Sequence, residues 1–447
     1  MLNMTHPDSP ILAAQAQPVR RVEAAVDLPP AQHIQQTQQR PPRLWIASFN
    51  GTWAGGVRSS RKTVVSELVD LISEDENVYE VPLNGVGSDG DLIDKIKGGV
   101  SGYGTLRNVL YAYRNLSKQY RNGDRIILVG YSRGAWAARY LAKLIHLVGL
   151  PGKRDERFYK KVYKACKSRK VCDPGHVGSL KDRYECKSVN IDALCCFDTV
   201  GSLGLPVTGL AKPFAIFRML GNQQKAVDLV SDVVPNVQFS FHALSLHETR
   251  GPYTPTLMRG TGVHQVYFPG NHSNLGWIDE AEGLVLAPFA WMVGQLNTHL
   301  NIRFDETKLG AHFPNYSQPR QSSPQWTRAF IRPTRRFLLA IMGKKCRNPG
   351  RQHINCSGAA TDLRIHIGAR LRNDMDDKTV PGYVLMALPG QRPYWARRVT
   401  WTDTNSFERE ENVAMRIEEA EVGELEARLL GLPDEAVSGI SVASTFS

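Results

Sequence analysis

The sequence predicts an α/β fold, a mostly parallel sheet with helices on both faces, and three observations predict it. Short apolar runs recur along the chain, each closed by turn residues, as buried strands are. Between them lie segments whose apolar residues return at helical spacing. The two kinds of segment alternate, and strand-helix alternation is the signature of parallel strands joined by crossover helices.

Residues 1–42, rich in Gln, Pro and Ala, hold no sustained period of 2 or 3.6 and are expected to form a disordered leader. Order is expected to begin with the run LWIASF at 44–49, which stops at Asn50-Gly51 as a strand entering a turn does. Residues 59–73 then place Val64, Val65, Leu68, Val69 and Ile72 on one helical face. Residues 78–83 suit a second strand, and 102–120 a helix with Leu106, Val109, Leu110, Tyr113, Leu116 and Tyr120 on one side. The run RIILV at 125–129 leads directly into Gly130, and 135–148 is strongly amphipathic. Further strands are expected at 191–197 and 263–268, while the surroundings of His242 and His247 suggest a helix. Beyond Pro288 the pattern weakens: 285–300 is expected to be helical, 318–327 a polar loop, and 329–343 a basic amphipathic helix. Residues 407–430 form an acidic stretch of helical character, followed by a Ser-rich tail. The expected division is a leader at 1–42, a catalytic domain at 43–300, an extension packed on it at 301–390, and a C-terminal helix and tail at 391–447.

An apolar share of 42% and a charged share of 22% fit a chain that buries a core, which excludes a wholly disordered protein. The net charge of +12 suits an anionic partner such as a phospholipid surface, a nucleic acid or an acidic substrate. The zinc-finger, RNP and basic-zipper patterns are missing, so nucleic acid is not the expected partner. Residues 203–220 and 329–343 mix apolar and basic side chains, so each suits either peripheral contact with an anionic membrane or packing on the core. No run of about 18 apolar residues suggests a transmembrane helix, and the N-terminus lacks a signal pattern. A cytoplasmic protein is therefore expected, with signal-independent export left open. The seven cysteines are odd in number and hold no C-x-x-C pair, so thiols, including Cys166, Cys172 and Cys186, are expected rather than disulfides or zinc.

Gly130-Tyr131-Ser132-Arg133-Gly134 has the G-x-S-x-G form between an apolar strand and a long helix. A serine lifted on such a turn needs small neighbours two residues to each side, because side chains there collide across the turn. The following helix aims N–H groups and a positive dipole end at any oxyanion formed beside Ser132. A serine hydroxyl is a poor nucleophile until a histidine takes its proton and an acid orients that histidine. Asp198 closes the strand expected at 191–197, where sites form in open α/β sheets. Four histidines follow it: His242, His247, His264 and His272. His272, in a loop after the strand at 263–268, has the mobility a base needs, whereas the others suit packed or surface positions. After the first strand, Gly51 allows close backbone approach and, with Thr52, stands where an oxyanion donor is expected beside the Arg133 N–H; Trp53 and Tyr131 suit the pocket wall.

Together FNGTW (49–53), GYSRGAWAARYLA (130–142), FDTVGSLGLP (197–206), FHALSLHE (241–248) and FPGNHSNLGW (268–277) resemble the α/β-hydrolase catalytic domain of type VI secretion phospholipase effectors. The resemblance spans roughly residues 44–300. It implies an α/β-hydrolase-like fold, here with a C-terminal helical extension, and Ser132, Asp198 and His272 as nucleophile, acid and base. The resemblance implies a lipid ester as substrate; the Ser132 and His272 pair is expected to hydrolyse a carboxylic ester through an acyl-enzyme, with no metal or organic cofactor needed. The sequence departs from the family at Asn50 and Asn274, where Asp is usual, and at His247, which more often is Asp. The alternatives are a catalytically weakened binding or scaffold protein, and an esterase or thioesterase with a soluble substrate.

Overall fold

The computed structural model describes residues 42–51, 62–85, 103–168, 170–201, 230–278, 283–320, 324–331, 344, 346–347, 349, 362–373, 383–386, 392–397 and 416–434. In chain order these form β1 (Leu44–Phe49), α1 (Val64–Asp70), β2 (Val78–Leu83), α2 (Tyr103–Gln119), β3 (Arg125–Tyr131), α3 (Arg133–Val148), α4 (Glu156–Lys167), α5 (Pro174–Tyr184), β4 (Ile191–Phe197), β5 (Val237–Ser245) and β6 (Val263–Phe268). There follow α6 (Leu286–Leu300), α7 (Glu306–His312), β7 (Leu363–Ile365), α8 (Gly368–Asn373), β8 (Tyr383–Met386), β9 (Tyr394–Arg397), β10 (Arg416–Glu418) and α9 (Glu424–Leu430).

Seven strands pair in the order β2-β1-β3-β4-β5-β6-β7, every pair parallel. The apolar strand runs follow from burial on both faces. In β3, Ile127 and Val129 face a core shared with α1 and α6, while Ile126 and Leu128 face the core under α2 and α3. The order of the strands reverses at β1, which has β2 on one side and β3 on the other, and α1 and α3, the helices that follow β1 and β3, pack on opposite faces of the sheet. Such a switch point leaves a crevice at the carboxyl ends of the strands. A second sheet of three antiparallel strands, β8 to β10, stands beyond the β7 edge.

Several expectations are corrected. Residues 237–245 are a central strand, so His242 is not helical, and His247 follows the strand in a bend. Within 407–430 the described residues form strand β10 and only then helix α9. Of the helix expected at 59–73, residues 62–73 are described, and within them the helix spans 64–70. Residues 329–331 are not helical, and the polar loop contains a 3-10 turn at Gln325–Arg328. Residues 1–41, 202–229 and 332–343 lie outside the described residues, and so do the leader, the segment 203–220 and most of the basic segment 329–343. Among the described residues no helix is long and apolar enough to cross a membrane.

Candidate active site

β3 delivers Ser132 to the start of α3, where it is the N-cap with φ 61° and ψ −123°. A non-glycine residue in that region costs about 1–3 kcal/mol and persists only where its surroundings enforce it. Here they do. The Ser132 N–H donates to the Phe197 carbonyl at 2.9 Å, tying the turn to the end of β4. A Cβ on Gly130 would come within 2.6 Å of Ala135 Cα, and one on Gly134 would overlap the Phe49 carbonyl. The glycines therefore let the turn close and let the loop after β1 lie against the helix start.

Asp198 and His272 come to Ser132 from the ends of β4 and β6. His272 Nε2 is 2.8 Å from Ser132 Oγ, and its Nδ1 is 2.6 Å from Asp198 Oδ2. An Nδ1–H donating to the carboxylate leaves Nε2 as acceptor for the serine proton, the orientation a general base needs. Ser132, His272 and Asp198 are 6%, 4% and 0% exposed, so the contact is shielded from bulk water. Of the other histidines, His242 is buried in β5, accepting the Thr199 N–H at 3.2 Å, and His264 packs in a ring cluster with Phe241 and His299. His247 Nδ1 accepts the Gly270 N–H at 3.0 Å and so supports the loop that carries His272.

Two charged residues complete the setting, and neither was expected from the sequence. Arg347, 2% exposed at its side chain, grips both oxygens of Asp198, Nη1 to Oδ1 at 2.5 Å and Nη2 to Oδ2 at 2.9 Å. The Ser245 N–H and Oγ add further bonds to the same carboxylate at 3.0 and 3.1 Å. Burial alone would raise the Asp198 pKa, but the charges of Arg347 and His272 outweigh it and hold the carboxyl far below its usual range. Glu248, buried and paired with Arg250 at 2.7 Å, accepts the His272 backbone N–H at 3.2 Å. Its burial is likewise overcome, here by Arg250, so its pKa is lowered. Glu248 ends the FHALSLHE run, which was the available signal; Arg347 follows two lysines and a cysteine, where an arginine reads as one more solvated cation.

The imidazole is packed between two aromatic rings. Tyr131 stacks on it with centroids 4.9 Å apart, and Tyr253 meets it edge-on at 4.8 Å. The buried Tyr131 ring fills the space that Gly51 and Gly276 leave without side chains, and its hydroxyl donates to the His272 carbonyl at 3.0 Å. Arg133 is the first residue of α3, and Gly51 is buried in the adjoining loop. Thr52 and Trp53 lie outside the described residues. Asn50 Oδ1 accepts from Thr63 Oγ1 at 2.5 Å, and Asn274 Oδ1 from the Asn271 N–H at 2.9 Å, so each amide braces a loop of the site. Elsewhere, Glu67, Asp70 and His312 group at metal-ligand spacing, but Lys62 already pairs with Glu67 at 3.1 Å and supplies a cation there.

Residues 43–295 match the family described as "T6SS, Phospholipase effector Tle1-like, catalytic domain". No curated protein matches the chain. Among solved structures, the chain is similar to an uncharacterized protein from Pseudomonas aeruginosa, with 14% identity and a TM-score of 0.36 over 58% of this chain and 46% of that one. It is also similar to the Tle1 effector bound to the VgrG spike of the type VI secretion system, with 17% identity and a TM-score of 0.28 over 53% of this chain and 52% of that one. The chain thus spans about half the length of these solved chains.

Proposed function

Because the chain belongs to the family of Tle1-like phospholipase effector catalytic domains of the type VI secretion system, we propose that it hydrolyses a carboxylic ester of a phospholipid, with Ser132 as nucleophile, His272 as general base and Asp198 as the acid that orients the base. The hydrogen-bonded chain from Ser132 Oγ through His272 to Asp198, at 2.8 and 2.6 Å, carries this proposal.

In the first step Ser132 Oγ attacks the ester carbonyl carbon while its proton passes to His272 Nε2. The oxyanion forms beside the start of α3, where the Arg133 N–H and a donor from the loop at Gly51 and Thr52 would hold it. Collapse breaks the bond to the leaving alcohol, which takes the proton from Nε2, and the acyl group stays on Ser132. Water then attacks with His272 again as base, and collapse frees the fatty acid and the serine. The imidazolium formed in each half is stabilised by Asp198, which its partners keep ionised. Each step uses side chains and backbone of this chain.

A fluorophosphonate probe, together with release of fatty acid from phosphatidylglycerol liposomes, tests the assignment. We expect labelling of the native chain, its loss in Ser132→Ala, and a fall of at least about 10³-fold in His272→Ala. Labelling that survives Ser132→Ala, or none at all on folded protein, would remove the hydrolase. Hydrolysis of dispersed nitrophenyl esters with none on liposomes would keep the serine chemistry and remove the lipid.

A further inference from the structure

We propose that Arg347 is a positioning residue for this hydrolysis: by gripping both oxygens of Asp198 it sets the carboxylate for His272 and withdraws part of its charge from the imidazole. The inference rests on the assignment of Ser132, His272 and Asp198 above. It goes beyond that assignment because Arg347 lies outside residues 43–295, the segment that matches the family.

The geometry is that of a clamp. Nη1 of Arg347 binds Asp198 Oδ1 and the Ser245 carbonyl at 2.5 and 2.7 Å, while Nη2 binds Asp198 Oδ2 and the Tyr253 carbonyl at 2.9 and 2.6 Å. A planar guanidinium fixed at four points holds the carboxylate plane against rotation. Oδ2 is the same oxygen that accepts from His272 Nδ1. The imidazolium therefore meets a carboxylate already paired with a cation, and Arg347 opposes protonation of the base.

The other groups that face the pair do not replace this effect. Glu248 bonds the His272 N–H, but its charge is matched by Arg250, whose guanidinium lies 3.8 Å over the Tyr253 ring. His242 and Tyr267 lie within electrostatic reach of Asp198 and Arg347. Burial holds both uncharged at neutral pH, lowering the His242 pKa and raising that of Tyr267. Tyr131 and Tyr253 pack on the ring faces and edges, and Ser132 is the proton donor itself.

The test is the rate of fluorophosphonate labelling against pH in the full chain, with thermal unfolding as the check on folding. In Arg347→Met the acidic limb should move up by about one pH unit, the lower end of what one nearby charge does. In Arg347→Lys the limb should stay in place and the plateau fall about tenfold, because one ammonium keeps the charge but does not span both oxygens. An unmoved limb in folded Arg347→Met overturns the proposal, as does a native plateau in Arg347→Lys. If the Met variant does not fold, the Lys plateau decides alone. Labelling that persists in Ser132→Ala defeats the hydrolase assignment and this proposal with it; labelling lost there with an unmoved limb in Arg347→Met defeats the Arg347 role alone.

Discussion

Ser132, the proposed nucleophile, combines a positive φ of 61° with a side chain that carries a Cβ, so the backbone there is strained. Glycine at this position would relieve the strain, while alanine keeps the Cβ and with it the clash. Ser132→Gly should therefore be more stable than Ser132→Ala by about 1 kcal/mol, after allowing for glycine's extra freedom in the unfolded chain. Urea unfolding of the two unlabelled variants measures it, and an alanine variant equal to or above the glycine one would show that the turn holds no strain. The placements of Ser132, Asp198 and His272 were legible because each lies at a strand end with a local signature. Arg347 was not, since its meaning depends on Asp198, 149 residues away, and no local pattern marks a cation that becomes buried.

Among the elements, strands β1, β3, β4 and β6 were legible as apolar runs because both of their faces are buried. β5 was misread as helix for a physical reason: Ser240 and His242 interrupt its apolar residues, yet both are buried, His242 through hydrogen bonds to its neighbours. His242 Nδ1 lies 3.0 Å from Gln265 Oε1 on β6, and Nε2 accepts the Thr199 N–H, so the ring bridges strands as the neutral Nδ1–H form. Burial, aided by the charge of Arg139, lowers its pKa from 6.5 to about 3. The unfolded chain therefore binds a proton below about pH 6.5 that the folded chain refuses, and stability falls as pH drops through that window toward 3. From pH 7 to pH 5 this one group should cost about 2 kcal/mol. His242→Gln, whose amide can still accept the Thr199 N–H, should lose about that much of the native pH dependence between urea unfolding curves at the two pH values. An identical dependence in the variant would show that His242 is not the proton acceptor.

Across the whole molecule, the described parts of the segment beyond residue 300 belong to the fold around the candidate site rather than forming an appendage. The segment supplies Arg347 to the site, β7 to the sheet edge, and α9 to the apolar face of α6. Its tail was read as one acidic helix because Glu residues dominate it; in fact Glu426 turns inward. His366 Nε2 meets Glu426 Oε1 at 3.0 Å with both side chains fully buried, and the Gly368 N–H donates to Nδ1, which makes Nε2 the donor to the carboxylate. The same imidazole stacks on Phe268 of β6, four residues before His272, so the pair links α9 to the strand that leads to His272. Removing one member of a buried pair strands the other without a partner, whereas an apolar pair of similar shape restores the packing. Glu426→Leu should therefore lose about 3 kcal/mol, and His366→Phe combined with it should recover most of that loss. If the segment and the catalytic core unfold together, tryptophan fluorescence and fluorophosphonate labelling of Glu426→Leu will decline with one midpoint in urea. Labelling that outlasts the fluorescence change would separate the two and show that the Ser132 site stands without α9.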